Sequence, residues 1–257
     1  MRLPSAHGIV DRGEILVHGQ SSRLLFNGEA FAWPQDSQRD TSAFVYAFYG
    51  SRQLFGLVAG SIASCWAFYG AAVQFGTGAI ALVGRSGIGK TTLVLELMAR
   101  GAALYSDECV FLEKTDGMVD GLPRALMIRE SSLEQLASIP GVAAACRRSP
   151  FHVTEERGRL WYAIDPTEIF DAVPVARPSP LRAFVVLDDE RSDVASLSSL
   201  SPSVAAAELA RRCHGASNGI AGLAIVARRL STIPCYRLRL GTPRGTADLL
   251  EQRCGAT

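Results

Sequence analysis

The residues best suited to chemistry form one stretch, GRSGIGKTT, which matches the phosphate-binding pattern G-x-x-x-x-G-K-[ST] at every fixed position. Its members are Gly84, Arg85, Ser86, Gly87, Ile88, Gly89, Lys90, Thr91 and Thr92. The glycines allow backbone conformations that turn successive N–H groups toward an anion. Lys90 supplies a positive charge for the β- and γ-phosphates, and Thr91 supplies a hydroxyl for Mg²⁺. The stretch therefore predicts a nucleotide-binding loop.

The residues around this loop predict the elements that must position it. Ala79–Val83 is a short apolar run, typical of a buried parallel strand. Leu93–Arg100 consists of good helix formers and is followed by Gly101, a residue that ends helices. A helix that begins near Lys90 adds a partial positive charge at the phosphate site. The whole stretch is expected to form a strand, a loop and a helix in sequence.

Two groups of acidic residues are candidates for holding Mg²⁺ or orienting a nucleophile beside the loop. Asp107-Glu108 follows the predicted strand Ala102–Tyr105, and Asp188-Asp189-Glu190 follows the apolar run Leu181–Leu187. Either group would lie at the carboxyl end of a strand beside the loop, where open α/β sheets place their sites. Either could hold Mg²⁺ or orient a nucleophile, and the strand patterns alone leave both alternatives open.

The composition of the chain limits its class. Its 257 residues predict one large domain, or one domain with a small addition, and a hydrophobic content of 48% is enough for a sizeable core. The net charge of +1 provides no electrostatic footprint for nucleic acid. The six cysteines are scattered, without a C-x-x-C pair. They are therefore interpreted as reduced thiols of a cytoplasmic protein.

A long uncharged segment raises the alternative of a membrane span. No charged residue lies between Arg52 and Arg85, a distance sufficient to cross a bilayer. Gly70, Gly76 and Gly78 interrupt the segment, and its last part is the strand that leads into the phosphate loop. We interpret it as the core of a soluble domain and expect no membrane span.

The remaining patterns divide the chain into two parts. Residues 1–41 are predicted to form a β-rich N-terminal subdomain, with strands at Glu14–His18, Arg23–Phe26 and Ala30–Trp33. Asn27-Gly28 between the last two strands is a strong hairpin signal. Residues 42–257 are predicted to form the α/β domain, with a helix over residues 42–64 and proline-rich, mobile, substrate-facing loops over residues 138–180.

The segment Gly84–Glu113, GRSGIGKTTLVLELMARGAALYSDECVFLE, resembles the catalytic core of HPr kinase/phosphorylase. That family has a G-x-S-G-x-G-K-[ST] loop, then R-G, then a short strand that ends in two acidic residues. Arg100-Gly101 and Asp107-Glu108 stand at those positions. Weaker similarity to small stand-alone HPr-kinase-like proteins extends through Pro180–Leu187 and Ile233–Leu238.

The resemblance implies an α/β fold with a P-loop core of the HPr kinase and phosphoenolpyruvate carboxykinase type. It implies an ATP- and Mg²⁺-dependent kinase that phosphorylates a serine hydroxyl of a peptide or small protein. Some relatives are lasso-peptide tailoring kinases that modify a terminal serine. Lasso peptide biosynthesis is therefore the more specific function that the resemblance implies. Asp107 would be the general base and Lys90 the other catalytic residue, while Thr91 and Glu108 would hold the metal. Because such proteins are often oligomeric, a homo-oligomer is also among the expectations.

Three positions depart from the family pattern. Glu108 stands where the family usually has a second aspartate. Tyr69 aligns with a family histidine just ahead of the loop, which argues against phosphorylase activity, because a tyrosine is a poor proton shuttle at neutral pH. The second family signature, R-G-x-G, has no match. Arg129-Glu130 stands nearest to it and is interpreted as part of a surface helix.

Two other functional interpretations remain open from the sequence. One is a P-loop ATPase or nucleotide switch in which Asp188 is the key acid. The other is a nucleotide-binding module without turnover, suggested by Tyr69 and Glu108. In the kinase interpretation, four arginines of the loop-rich region could receive an acidic acceptor, although a solvated basic face fits them equally well. These are Arg147, Arg148, Arg157 and Arg159.

Overall fold

The computed structural model describes most of the chain in detail. It covers residues 64–121, 125–149, 160–170, 176–213 and 220–255, together with strands at residues 13–18, 21–26, 29–32 and 152–154. The chain divides into two compact units, Met1–Gln53 and Leu54–Thr257. The predicted helix over residues 42–64 lies outside the described residues, apart from Ser64 in a turn.

The first unit contains a three-stranded antiparallel sheet. Its strands are β1 (Gly13–His18), β2 (Ser21–Phe26) and β3 (Glu29–Ala32), in that order. Phe26 stands opposite Glu29, so the two strands on either side of Asn27-Gly28 pair as the hairpin signal predicts. All three strands predicted for this region are present.

The second unit is a mixed α/β structure. Its strands are β4 (Cys65–Tyr69), β5 (Ala71–Phe75), β6 (Gly78–Val83), β7 (Ala103–Ser106), β8 (Cys109–Glu113), β9 (Met118–Gly121), β10 (Leu126–Arg129), β11 (His152–Thr154), β12 (Leu160–Ile164), β13 (Ser179–Arg191), β14 (Ser196–Ser199) and β15 (Cys235–Leu240). Its α-helices are α1 (Lys90–Met98), α2 (Val142–Arg148), α3 (Pro202–Ala210), α4 (Ile220–Leu230) and α5 (Pro243–Leu250). Short 3₁₀ helices occur at Glu130–Ser132 and Pro166–Glu168, and a π-helical turn at Glu251–Gly255.

Strand β13 lies at the centre of a nine-stranded sheet. It pairs in parallel with β6 on one side and with β15 on the other, while its first residues pair antiparallel with β9. Strands β5 and β7 continue the sheet beyond β6, and β8 and β4 continue it beyond β9. Because β5 is antiparallel to both β6 and β7, the strands β6, β7, β13 and β15 run in one direction. Their carboxyl ends therefore meet at one edge.

The sheet is buried on both faces because alternate residues of its central strands enter two different cores. Ile80 and Leu82 of β6 pack in the core that contains α1 and α5. Ala79, Ala81 and Val83 of the same strand pack in the core that contains α3 and α4. This alternation is the period-two pattern of a strand between two helical layers. It explains why an unbroken apolar run leads into the phosphate loop.

Residues 138–180 are more regular than their proline content predicted, so the expectation of loops throughout was wrong. Helix α2 occupies part of this region, and β12 pairs antiparallel with both β10 and β11 in a separate three-stranded sheet. Pro140 precedes α2, and Pro166 begins a 3₁₀ helix after Asp165. Proline is tolerated at such boundaries, so these residues separate the elements rather than prevent them.

The predicted end of the phosphate-loop helix is confirmed. Gly101 has φ +89°, its N–H donates to the carbonyl of Met98, and the N–H of Ala102 donates to the carbonyl of Leu97. These two bonds form a glycine C-cap and satisfy carbonyls at the end of α1. All six cysteines are free thiols. Within the described residues, no helix combines the length and apolar character needed to cross a bilayer.

Candidate functional site

The predicted loop connects β6 to α1 as a tight turn at the carboxyl edge of the sheet. Gly87 (φ +78°) and Gly89 (φ +124°) both adopt backbone conformations that disfavour residues with a Cβ. The carbonyl of Gly89 accepts the N–H of Leu93 at 3.0 Å, so the first helical hydrogen bond starts within the loop. The strand, loop and helix predicted from the sequence are all present.

Lys90 lies almost completely buried at the start of α1, with 5% of its surface exposed. Its Nζ donates to the carbonyl oxygens of Gly84 and Arg85, at 2.9 Å each, and lies 4.3 Å from the ring centroid of Tyr69. Burial lowers the pKa of Lys90 from its ordinary value of 10.5 to about 8, and the positive charge of Arg212 adds to the effect. The ammonium group is thus held by the loop itself.

The first acidic pair meets the phosphate loop directly. Asp107 is 3% exposed, and its Oδ2 accepts a hydrogen bond from Oγ1 of Thr91 at 3.1 Å. The buried hydroxyl of Ser106 accepts the N–H groups of Glu108 (3.3 Å) and Cys109 (3.0 Å), which fixes the turn after β7. The structure therefore joins a hydroxyl and a carboxylate that are 16 positions apart in sequence.

The second acidic group lies at the same edge of the sheet but makes different contacts. Oδ1 of Asp188 accepts the N–H of Glu190 at 3.4 Å, within its own strand. Asp189 forms an ion pair with Nε of Arg85 at 2.8 Å, and the two side chains are 68% and 65% exposed. Such an exposed pair contributes little stability. Of the two acidic groups predicted, Asp107 is the one that contacts Thr91.

Arg129 is a site residue whose position the sequence did not predict. It is the last residue of β10 rather than part of a surface helix, so that expectation was wrong. Its guanidinium carbon lies 4.3 Å from the ring centroid of Trp161, and a Cβ placed on Gly87 would lie 2.5 and 2.6 Å from its two terminal nitrogens. The apolar run Leu126-Met127-Ile128 before a charged residue was the available signal for a strand.

A second arginine and a small cleft complete the surroundings of the loop. Nη2 of Arg191, at the end of β13, donates to the carbonyl of Ile88 at 3.0 Å. A small cleft opens beside it, between the start of α1 and the residues that follow β15. Its lining includes Gly89, Thr92, Leu93, Arg191, Leu240 and Gly241. The cleft adjoins the phosphate loop and combines apolar and polar surfaces.

Of the four arginines suggested as an acceptor surface, two are described. Arg147 and Arg148 are exposed in the last turn of α2, where cations complement the helix dipole. Arg157 and Arg159 lie outside the described residues. The described pair therefore has a sufficient structural explanation at the helix terminus, whereas Arg129 and Arg191 lie against residues of the loop.

Comparison with known proteins yields similarity to solved structures. Searches against protein-family models and curated protein sequences find no match. Among solved structures, the chain is similar to the HPr(Ser) kinase/phosphatase from Coxiella burnetii, with 13% sequence identity and a TM-score of 0.35. The similarity covers 72% of this chain and 86% of that chain. A similarity of this identity and TM-score gives no information about the function or about individual site residues.

Proposed function

We propose that this protein is an ATP- and Mg²⁺-dependent kinase that transfers a phosphoryl group to a serine hydroxyl of a peptide or small protein. The observation that carries the proposal is the 3.1 Å hydrogen bond between Thr91 and Asp107, beside the loop that holds Lys90. It combines a phosphate-binding loop, a metal-binding hydroxyl and a buried carboxylate at one edge of the sheet. Phosphoryl transfer needs this placement and charge neutralisation more than covalent catalysis.

The loop and its neighbours would bind the nucleotide. Backbone N–H groups of residues 84–89 would surround the phosphates, and Lys90 would exchange its two carbonyl acceptors for phosphate oxygens. The cleft beside Thr92 and Leu240 would receive the nucleoside, since it opens from the same loop. Arg191 lies between the loop and this cleft.

The oxygen ligands at the site fit a magnesium ion. Thr91 offers a hydroxyl and Asp107 a carboxylate within hydrogen-bond distance of each other, and hard oxygen donors are the ligands that Mg²⁺ prefers. Thr91 and Glu108 would hold the ion, with Glu108 placed by the turn that Ser106 fixes. Bound Mg²⁺ would neutralise charge that develops on the phosphate oxygens.

Asp107 would act as the general base of the transfer. The oxygen of the acceptor hydroxyl attacks the γ-phosphorus, and the bond from that phosphorus to the β–γ bridging oxygen breaks. The hydroxyl proton passes to the carboxylate of Asp107, and ADP leaves with the bridging oxygen. The buried position of Asp107 keeps this carboxylate away from bulk water, while its bond from Thr91 fixes its orientation.

The family resemblance of the sequence supports the finer version of the proposal. It suggests a core of the HPr kinase and phosphoenolpyruvate carboxykinase type, and a lasso-peptide precursor with a C-terminal serine as the acceptor. Tyr69, which the sequence resemblance aligns with a family histidine, contacts the side chain of Lys90. A phenol at this position supports kinase activity without the reverse phosphorylase reaction.

The experiment that tests the proposal is intact-mass spectrometry of serine-containing peptides, including peptides with a free C-terminal serine. The peptides are incubated with the protein, ATP and Mg²⁺, beside a Lys90→Ala control. We expect one added phosphate on a peptide with the unaltered protein and none with the control. ADP release that depends on Lys90, without any modified peptide, would instead favour an ATPase.

A matched pair of substitutions tests which acid serves the reaction. Asp107→Asn is expected to lower the transfer rate by about 10²–10⁴-fold, the usual contribution of a general base. Asp188→Asn is expected to leave the rate nearly unchanged, because its carboxylate contacts the backbone of its own strand. Steady-state rates of both variants decide the question. The reverse ranking would contradict the assignment of Asp107 and favour an ATPase that uses Asp188.

A further inference from the structure

Arg129 is held from two sides, although it lies at the end of an edge strand. Arg129 stands directly opposite Trp161 in the antiparallel pairing of β10 with β12, so the two side chains are cross-strand neighbours. The guanidinium lies over the indole ring on one side and beside Gly87 of the phosphate loop on the other. The position of the charged group is therefore determined by the ring and the loop together.

The charge of Arg129 belongs to the same electrostatic site as Lys90. Nζ of Lys90 donates to the carbonyls of Gly84 and Arg85 in the same loop whose Gly87 lies beside the guanidinium of Arg129. Bringing like charges together costs free energy unless an anion joins them. A polyanion such as a nucleotide triphosphate would supply that compensation, so the arrangement fits a ligand-binding role better than a structural one.

We propose that Trp161 is a positioning residue, whose indole face holds the guanidinium of Arg129 against Gly87 so that Arg129 binds the terminal phosphate of the nucleotide. The inference rests on the proposed function. A guanidinium presents paired N–H donors in a plane and suits bidentate binding of phosphate oxygens. At this place Arg129 would neutralise charge on the phosphoryl group that is transferred.

The choice of tryptophan supports a role for the ring face. The buried Nε1–H of Trp161 finds no acceptor among the residues that the structure describes. A phenylalanine would fill much of the same space without burying an N–H group. Tryptophan nevertheless provides the strongest cation–π partner among the aromatic side chains. The ring thus carries a cost in stability that its contact with Arg129 explains.

The test compares binding of MgATP and MgADP to the full-length chain by titration calorimetry. Trp161→Leu is expected to weaken MgATP binding about tenfold, the effect of a desolvated cation–π contact, and MgADP binding less than about twofold. Trp161→Phe is expected to give an intermediate loss of MgATP affinity, with unfolding free energy equal to or above that of the unaltered protein. Opposite changes of affinity and stability are not expected of a purely structural residue.

A double-mutant cycle with Arg129→Gln isolates the coupling between the two residues. In the Arg129→Gln background, Trp161→Leu should not change the ratio of MgATP to MgADP affinity further. Equal losses of both nucleotides, or an unchanged ratio in the single variants, would overturn the inference alone. Failure of the unaltered protein to bind MgATP would overturn the proposed function and this inference with it. If Trp161→Leu does not fold, the ratio measured for Trp161→Phe decides.

Discussion

Helix α1 carries a buried charge near each end, and the two charges are compensated in different ways. Lys90 at the N-terminal end is 5% exposed, and Glu96 near the C-terminal end is 4% exposed. Isolated charges are rarely buried this deeply, because removal from water costs several kcal/mol or more. The difference between their partners shows which end of the helix maintains the fold and which end is suited to a ligand.

At the C-terminal end, Glu96 is fully engaged by protein groups. One carboxylate oxygen accepts from Nη1 of Arg100 at 3.0 Å, and the other accepts from the hydroxyl of Ser138 at 2.9 Å. Arg100 in turn pairs with Asp248 at 2.7 Å and with Glu251 at 3.5 Å. The network ties α1 to α5 and to the turn that follows it. The buried carboxylate of Glu96 is therefore compensated by a cation of the protein itself.

At the N-terminal end, the partners of Lys90 are carbonyl oxygens and an aromatic ring rather than a carboxylate ion pair. Burial and the cations Arg212 and Arg129 lower its pKa by more than the carboxylates Asp107 and Glu108 raise it. The protein therefore maintains a charge here at a cost in free energy. Functional sites commonly show this pattern, because the ligand supplies the missing compensation.

The sharpest test of this comparison removes each charge with little change of volume. Lys90→Met is expected to lower phosphoryl transfer by about 10²–10³-fold, the effect of losing a key electrostatic contact to the reacting group. Its free energy of unfolding should stay the same or increase, because a costly buried cation is removed. Transfer rates and urea unfolding curves of the unliganded protein provide the two measurements.

Glu96→Gln is the matched control at the other end of the helix. It is expected to lower the free energy of unfolding by about 2 kcal/mol, because a charged hydrogen bond of a buried network is lost. Nucleotide affinity of the folded fraction should remain unchanged. If Glu96→Gln weakens nucleotide binding as much as Lys90→Met does, or if Lys90→Met unfolds the protein, the two ends do not differ as proposed.

Glycines at the two ends permit a second test of smaller expected effect. Gly87 and Gly101 both have left-handed backbone angles, so alanine at either position should lower the free energy of unfolding by about 1–2 kcal/mol. A Cβ on Gly87 would overlap the guanidinium of Arg129, whereas a Cβ on Gly101 would meet no described atom within 4 Å. Only Gly87→Ala should therefore weaken MgATP binding, by about tenfold.

Thermal unfolding of the two alanine variants measures the cost of backbone strain at each glycine. Calorimetric titration with MgATP measures the effect of displacing the guanidinium of Arg129. Equal stability losses with unequal nucleotide affinities are the expected result. A normal MgATP affinity for Gly87→Ala would show that Arg129 does not need its present position, which would weaken the proposed role of Trp161 as well.

Much of the core of this site could be predicted because its residues are local in sequence. The pattern G-x-x-x-x-G-K-[ST] fixes the loop, and the apolar runs on either side fix β6 and α1. The strand end before Asp107 was also predictable, since an acidic residue follows an apolar run there. The end predicted at Asp188 was wrong, because β13 continues to Arg191 and pairs there with Leu240 of β15. The mixed α/β class follows from the same alternation of strand and helix patterns.

The remaining parts depend on pairings between distant segments. Arg129 and Trp161 meet only because β10 pairs with β12, and the strand register that brings them together is not encoded by either segment alone. The contact of Asp107 with Thr91 also joins separate segments, and the hydroxyl of Ser106 fixes the turn that follows β7. Proline content misled the prediction for residues 138–180, because prolines mark boundaries of elements as readily as loops.

The last prediction concerns pH and has the smallest expected effect near neutrality. The pKa of Lys90 is about 8 in the folded protein and 10.5 ordinarily, so the unfolded chain binds more protons between these values. The contribution of Lys90 to stability therefore rises with pH from about 8 to 10.5, and below that window its charge carries the full cost. Lys90→Met should lack this rise when urea unfolding is compared across the same pH range.

Nucleotide binding should show the opposite sign. Phosphate favours the charged form of Lys90, so deprotonation of the free protein competes with binding, and the Kd of MgATP should increase by about twofold at pH 8 and about tenfold at pH 9, relative to pH 7. Titrations of the Lys90→Met variant provide the baseline for all other groups, including the nucleotide itself. A wild-type Kd that follows this baseline would mean that Lys90 does not exchange its loop carbonyls for phosphate. The charge at the N-terminal end of α1 would then be structural, like the charge of Glu96 at the other end.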